Sequence, residues 1–136
     1  MMSDRELIDL AIEARKNAYT PYSDFKVGAA LLSKEGKVYK GCNIENAAYT
    51  PTNCAERTAF FKAVSEGATD FEAIAIVGGY DKDGLKFCPP CGVCRQVMME
   101  FCESDKFRIL LLDEDDEIKS YLLKDILPFG FGPKNL

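Results

Sequence analysis

The sequence predicts an α/β protein, one domain spanning residues 1–136 with a mixed β-sheet covered by helices on its faces. Three observations lead there. Helical periodicity and short β-type runs follow one another in the order α-β-β-α-β-α-β, the pattern of a layered α/β domain. The first two strands are close enough to form a hairpin, so part of the sheet is antiparallel, while later strands alternate with helices. Finally, 136 residues, 47% of them hydrophobic, suffice for one core and leave no room for a second catalytic domain.

Each element has its own justification. From Asp4 to Ala18, Leu7, Ile8, Ala11, Ile12, the stem of Arg15 and Ala18 share a helical face, with Ser3 as N-cap and Glu6 completing a capping box. Pro21 cannot continue that helix. Residues 27–32 and 37–42 read as strands joined by Ser33-Lys34-Glu35-Gly36, whose glycine suits a positive φ. The run from Cys54 to Gly67 is helical, with the small-residue stripe Ala55, Ala59, Ala63 allowing close packing. Phe71 to Val77 suits a strand buried on both faces, and Gly78-Gly79 with Asp81 to Gly84 reads as loop. After Cys91-Gly92, the positions Val93, Val97, Met98, Phe101 and Cys102 again have helical period, and a strand follows at 107–112. The acidic run Asp113 to Glu117 reads as a solvated turn, and Tyr121 to Leu127 as a last short helix before Pro128.

Composition narrows the chemistry. There are 17 Lys+Arg against 22 Asp+Glu, a net charge of −5, which argues against nucleic acid or an anionic membrane as partner. No stretch has the length of a membrane span, and the first residues lack the layout of a signal peptide, so a cytoplasmic location is expected. Histidine is absent, so any metal must be held by Cys, Asp or Glu. Six cysteines stand at 42, 54, 88, 91, 94 and 102, and in a reducing compartment clustered cysteines signal metal or catalysis before disulfides.

Cys54 and the pair Cys91, Cys94 each open a predicted helix. Unsatisfied amides and the dipole at a helix start favour thiolates, and two such starts facing each other make a three-thiolate pocket. Three protein ligands leave tetrahedral Zn²⁺ one open position, the arrangement of catalytic zinc, where bound water becomes hydroxide near neutral pH. Glu56 is two residues from Cys54, off its helical face, placed to act as general base and acid and not as a fourth ligand. Arg57, three residues on, shares that face and would offset the charge of the sulfurs.

Cys54-Ala55-Glu56-Arg57 together with Pro90-Cys91-Gly92-Val93-Cys94-Arg95-Gln96 resembles the short, three-cysteine form of the cytidine deaminases. The similarity extends over Pro21-Tyr22-Ser23, Phe25 to Leu31, Gly41 to Tyr49 and Leu127-Pro128. It implies a three-layer α/β/α fold with a central mixed sheet of about five strands, one Zn²⁺ per chain held by Cys54, Cys91 and Cys94, and hydrolytic deamination of cytidine and deoxycytidine at C4, with Glu56 shuttling the proton. It further implies that Asn43 and Glu45 hold the ribose hydroxyl, Phe25 packs on the nucleoside, the Ala55 amide meets the base, and Phe131, in preference to Phe129, supplies a stacking aromatic. A homotetramer with shared active sites, serving pyrimidine salvage, completes the implication.

Two readings of the cysteines compete. Cys88 makes C-x-x-C-x-x-C with Cys91 and Cys94, so a closed four-thiolate structural zinc in a non-catalytic interaction module is the alternative, although Pro89-Pro90 hinders Cys88 from wrapping back. Cys42 and Cys102 read as plain buried residues.

Overall fold

The computed structural model describes residues 2–136. Along the chain run α1 (Asp4–Arg15), β1 (Phe25–Ser33), β2 (Val38–Cys42), α2 (Ala55–Ser65), β3 (Phe71–Tyr80), α3 (Gly92–Phe101), β4 (Arg108–Leu112), β5 (Ile118–Leu122) and α4 (Leu123–Ile126). The strands form one sheet in the order β2-β1-β3-β4-β5, in which β3 and β4 are parallel and the other neighbours antiparallel. Strand alternation divides the core in two. Ala29, Leu31, Ile74, Ile76, Ile109 and Leu111 pack with α2 and Met98 of α3, whereas Ala30, Leu32, Ala73, Ala75, Leu110 and Leu112 pack with Leu7, Ile8 and Ala11 of α1. The result is the expected three-layer α/β/α arrangement with five strands.

Glycine and alanine set the spacing of these layers. A Cβ at Gly41 of β2 would lie 2.5 Å from both the Ala55 carbonyl and the Ala59 amide, so α2 rests its small-residue stripe directly on the strand. On the opposite face a Cβ at Gly28 would lie 2.1 Å from the Ala11 carbonyl of α1. Phe60, fully buried, anchors α2 against the rings of Phe71, Phe101 and Phe107. Burial of a side chain this size contributes about 2–3 kcal/mol.

Four boundaries depart from the sequence reading, each for a tertiary reason. α1 keeps its Ser3 cap, where the Glu6 amide donates to the Ser3 hydroxyl, but ends at Arg15. Beyond it the amides of Asn17 and Ala18 bond three residues back, and the Tyr19 amide is taken by the Asn43 carbonyl. Gly78-Gly79 lies inside β3 instead of a loop: a Cβ at Gly78 would sit 2.7 Å from the Cys88 sulfur, so the residue serves close approach and not a turn. Residues 118–122 form an edge strand that the sequence order omitted, because its Lys119 and Ser120 are both exposed and no alternation marks it. The last helix accordingly shrinks from 121–127 to the single turn Leu123–Ile126. The acidic run is the β4–β5 turn, in which the Asp113 carboxylate accepts from the amides of Asp115 and Glu117.

Candidate metal centre and active site

The N-termini of α2 and α3 come together at one end of the sheet. Cys54 is the N-cap of α2 and Cys91 that of α3, both in extended backbone, and Cys94 lies buried in the first turn of α3. Cys91 Sγ accepts from the Cys94 amide at 3.4 Å. Sγ of Cys54 is 3.8 Å from that of Cys91, which is 3.5 Å from that of Cys94. Thiolates about 2.3 Å from a tetrahedral Zn²⁺ stand about 3.8 Å apart, so both the spacing and the soft donor set fit this ion.

Among the described residues this trio is the only cluster with metal-binding geometry, and Cys88 is outside it. The Cys88 thiol packs instead against Gly78 of β3, and burial pushes it up to about 12, which makes it an inert thiol. The closed four-thiolate alternative is therefore not what the fold builds.

Electrostatics at the cluster are uneven. Cys54 is held down to about 5, first by a hydrogen bond from Cys94, against burial, and then by Arg57. Cys94 departs from the sequence expectation of a lowered thiol: its bond to Cys54 and its burial push it up. A dication is the partner that lets all three sulfurs ionise together. Arg57 shares the face of Cys54 as its spacing predicts, one guanidinium N–H donating to Cys54 Sγ at 3.3 Å. Its Nε is buried without an acceptor.

Glu56, only 5% exposed, sits in the first turn of α2 against this group. Burial raises its carboxyl to about 7, with the Cys54 charge adding to the rise. A carboxyl poised near neutrality beside the metal site can both accept and return a proton. Ala55 is fully buried, and its amide belongs to the first-turn N–H groups that find no acceptor within the helix.

The other predicted contacts reach this end of the sheet through one bridge: Ile44 and Asn53 exchange backbone hydrogen bonds, tying the 43–45 segment to the residue before Cys54. Asn43 accepts from the Val27 amide at 2.9 Å and donates to the Phe25 carbonyl at 2.8 Å, so it positions Phe25 and retains one N–H and one lone pair. The Phe25 ring meets Tyr80 edge to face at 5.1 Å. Glu45 accepts from the amides of Tyr22 and Ser23 and from the Ser23 hydroxyl, which lowers its pKa. It lines a cleft of about 450 Å³ with Tyr22, Ser23, Asn46, Tyr49 and Thr52. The part played by Tyr22 and Ser23 in fixing Glu45 was not legible in the sequence, since no local pattern joins residues 22 residues apart. Phe131 is about half exposed, its carbonyl accepting from Gln96 of α3. Phe129 is fully exposed.

Fold and site together define a layered α/β protein with a mononuclear sulfur-ligated metal centre. The family described as the cytidine and deoxycytidylate deaminase zinc-binding region matches residues 1–109. Cytidine deaminases of Halalkalibacterium halodurans and Sporosarcina psychrophila are 49% and 47% identical, over 99% of this chain and 98% and 96% of their own lengths. The crystal structure of cytidine deaminase from Burkholderia pseudomallei, 44% identical, superposes with a TM-score of 0.86 over 96% of this chain and 100% of that one. The chain belongs to the cytidine and deoxycytidylate deaminase family, and its three-cysteine cluster supplies the ligands for one zinc ion.

Proposed function

We propose that the 136 residues act as a single catalytic unit that hydrolyses cytidine and deoxycytidine to uridine and deoxyuridine with release of ammonia. The observation that carries this reading is the buried Glu56 carboxyl beside a site of three cysteine sulfurs, one ligand short of a closed tetrahedral zinc. When bound, Zn²⁺ supplies Lewis acidity that lowers the pKa of water to about 7. Glu56 takes one proton of the attacking water as its oxygen bonds to C4 and delivers it to N3 of the base, then moves the remaining hydroxyl proton to the amine as the C4–N bond breaks and ammonia leaves. Arg57 offsets the charge at Cys54. The Ala55 amide orients the base, Phe25 packs on it, Asn43 and Glu45 hold the ribose, and Phe131 stacks on the pyrimidine of a neighbouring copy.

A nucleoside fits better than its 5′-phosphate, because the residues lining the cleft beside Glu45 include no lysine or arginine to meet a phosphate. The exposed rings of Tyr22, Tyr49, Phe129 and Phe131 supply apolar surface for association into a homotetramer. Six free cysteines fit a reducing cytoplasm and a role in pyrimidine salvage. Incubation with cytidine, deoxycytidine and deoxycytidylate, following absorbance and ammonia, tests the reading. Turnover of both nucleosides is expected, and zinc-loaded protein that releases no ammonia from either defeats it. Light scattering tests the tetramer.

A further inference from the structure

Near its start α3 carries, directly after the ligand Cys94, two side chains that the mechanism leaves unused, Arg95 and Gln96. The segment leading into this helix has few anchors of its own. Pro89 and Pro90 have no N–H to donate. The carbonyl of the buried Pro90 precedes the N-cap, so no helical amide reaches it; the Arg95 amide bonds to Cys91 instead. A buried carbonyl left unpaired is costly, and Arg95 Nε donates to this one at 2.9 Å. From the same guanidinium, Nη1 donates at 2.5 Å to Ile126, the last residue of the four-residue α4, whose terminal carbonyls have no helical partner. Gln96 adds a third tie, Nε2 donating to the Phe131 carbonyl at 2.8 Å. The chain's tail is thereby bracketed at 126 and 131 against the helix that bears two metal ligands. Between the brackets Phe129 adopts a left-handed φ of 54° with its ring fully exposed.

We infer that Arg95 is a positioning residue of the metal centre: by joining the Pro90 and Ile126 carbonyls it fixes the backbone that displays Cys91, so that sulfur geometry and the seating of the 126–131 tail form one coupled state. The planar guanidinium holds both carbonyls at once, which a lysine ammonium on a flexible stem does not. This rests on the deaminase reading only for the identity of the ion.

The test compares full-length wild type, Arg95→Met, Arg95→Lys and Gln96→Ala by zinc competition with a chromophoric chelator, by the absorption bands of the cobalt-substituted protein, and by limited proteolysis of the tail. Arg95→Met is expected to weaken zinc binding ~10–100-fold, the range for residues that orient metal ligands, to shift the cobalt bands and to speed cleavage near Phe129. Arg95→Lys should fall between it and wild type. Gln96→Ala should loosen the tail and, because the coupling is reciprocal, weaken zinc binding to a smaller extent than Arg95→Met. Wild-type zinc affinity and cobalt bands in Arg95→Met overturn the inference. Should that variant fail to fold, the wild type decides: chelation of its zinc is expected to expose the tail to protease, and equal protection with and without metal overturns the coupling. None of these readouts involves turnover, so failure of the deaminase reading and failure of this one are separable.

Discussion

Replacing Gly41 by alanine perturbs the site from behind, without altering Glu56 or any of the three cysteines. The added Cβ would lie 2.5 Å from backbone atoms of Ala55 and Ala59, and neither can swing aside as a side chain tip would. Ordinary contact begins at 3.4 Å, so α2 must retreat by about 0.9 Å or the strand must bend. Overpacking of this kind costs about 1–3 kcal/mol, which for a chain of this length lowers Tm by roughly 3–10 °C. The retreat also shifts Cys54 and Glu56 relative to α3, by up to several times the ~0.2 Å that zinc–sulfur distances tolerate. Zinc affinity and kcat should each fall, the latter by up to ~10²-fold for a displacement near 1 Å. Gly28→Ala is the control: its Cβ meets Ala11 and Arg15 of α1 on the opposite face, so stability should drop while turnover per bound zinc stays within a few-fold. Thermal unfolding, bound zinc and steady-state rates measured on both variants decide the matter. Equal kinetic damage in the two, or a Gly41→Ala enzyme with wild-type kcat and zinc, would show that contact between β2 and α2 does not set the geometry of the centre.

Glu56→Gln preserves shape and removes the proton carrier, so zinc content should persist while kcat falls ~10²–10⁴-fold; a fully active variant would take Glu56 out of the mechanism. Cys88→Ala should leave zinc stoichiometry and turnover in place, since that sulfur faces Gly78; loss of the metal would restore a fourth thiolate ligand. Burial pushes the Cys102 thiol well above its usual range, so on raising pH the unfolded chain releases this proton first and the folded chain keeps it. The sign is a stability that falls above about pH 9, by at most about 1.4 kcal/mol for this group by pH 10. Denaturant unfolding of wild type and Cys102→Ala across that window should show a shallower decline in the variant, and parallel curves would contradict the assignment.

What could be read locally and what could not divides along a physical line. The apolar stripe of α1, the hairpin of β1 and β2 with Gly36 in positive φ, and the helix starts at Cys54 and Cys91 all follow from spacings within one element, and all are present. Gly78 misled because the same residue serves a turn or a close approach, and only the position of Cys88 distinguishes the two. β5 carried no periodic signal because an edge strand has one neighbour and little burial to enforce alternation. Asn43 and Glu45 were legible only through the family resemblance, and not as groups already engaged with Phe25, Val27, Tyr22 and Ser23.

By itself the amino-acid order determined the chemistry: with no histidine and three cysteines at helix starts, a soft-metal site next to a carboxyl follows from residue type and local spacing alone. Only the tertiary structure decided that Cys54 and Cys91, 37 residues apart, meet within 3.8 Å, that Cys88 packs on Gly78 outside the sulfur trio, and that Arg95 ties the tail to the metal helix. The reason is that helix and strand periods report which way a residue faces along its own element, whereas the distance between elements depends on how closely the layers pack, and here two glycines and a stripe of alanines set that distance.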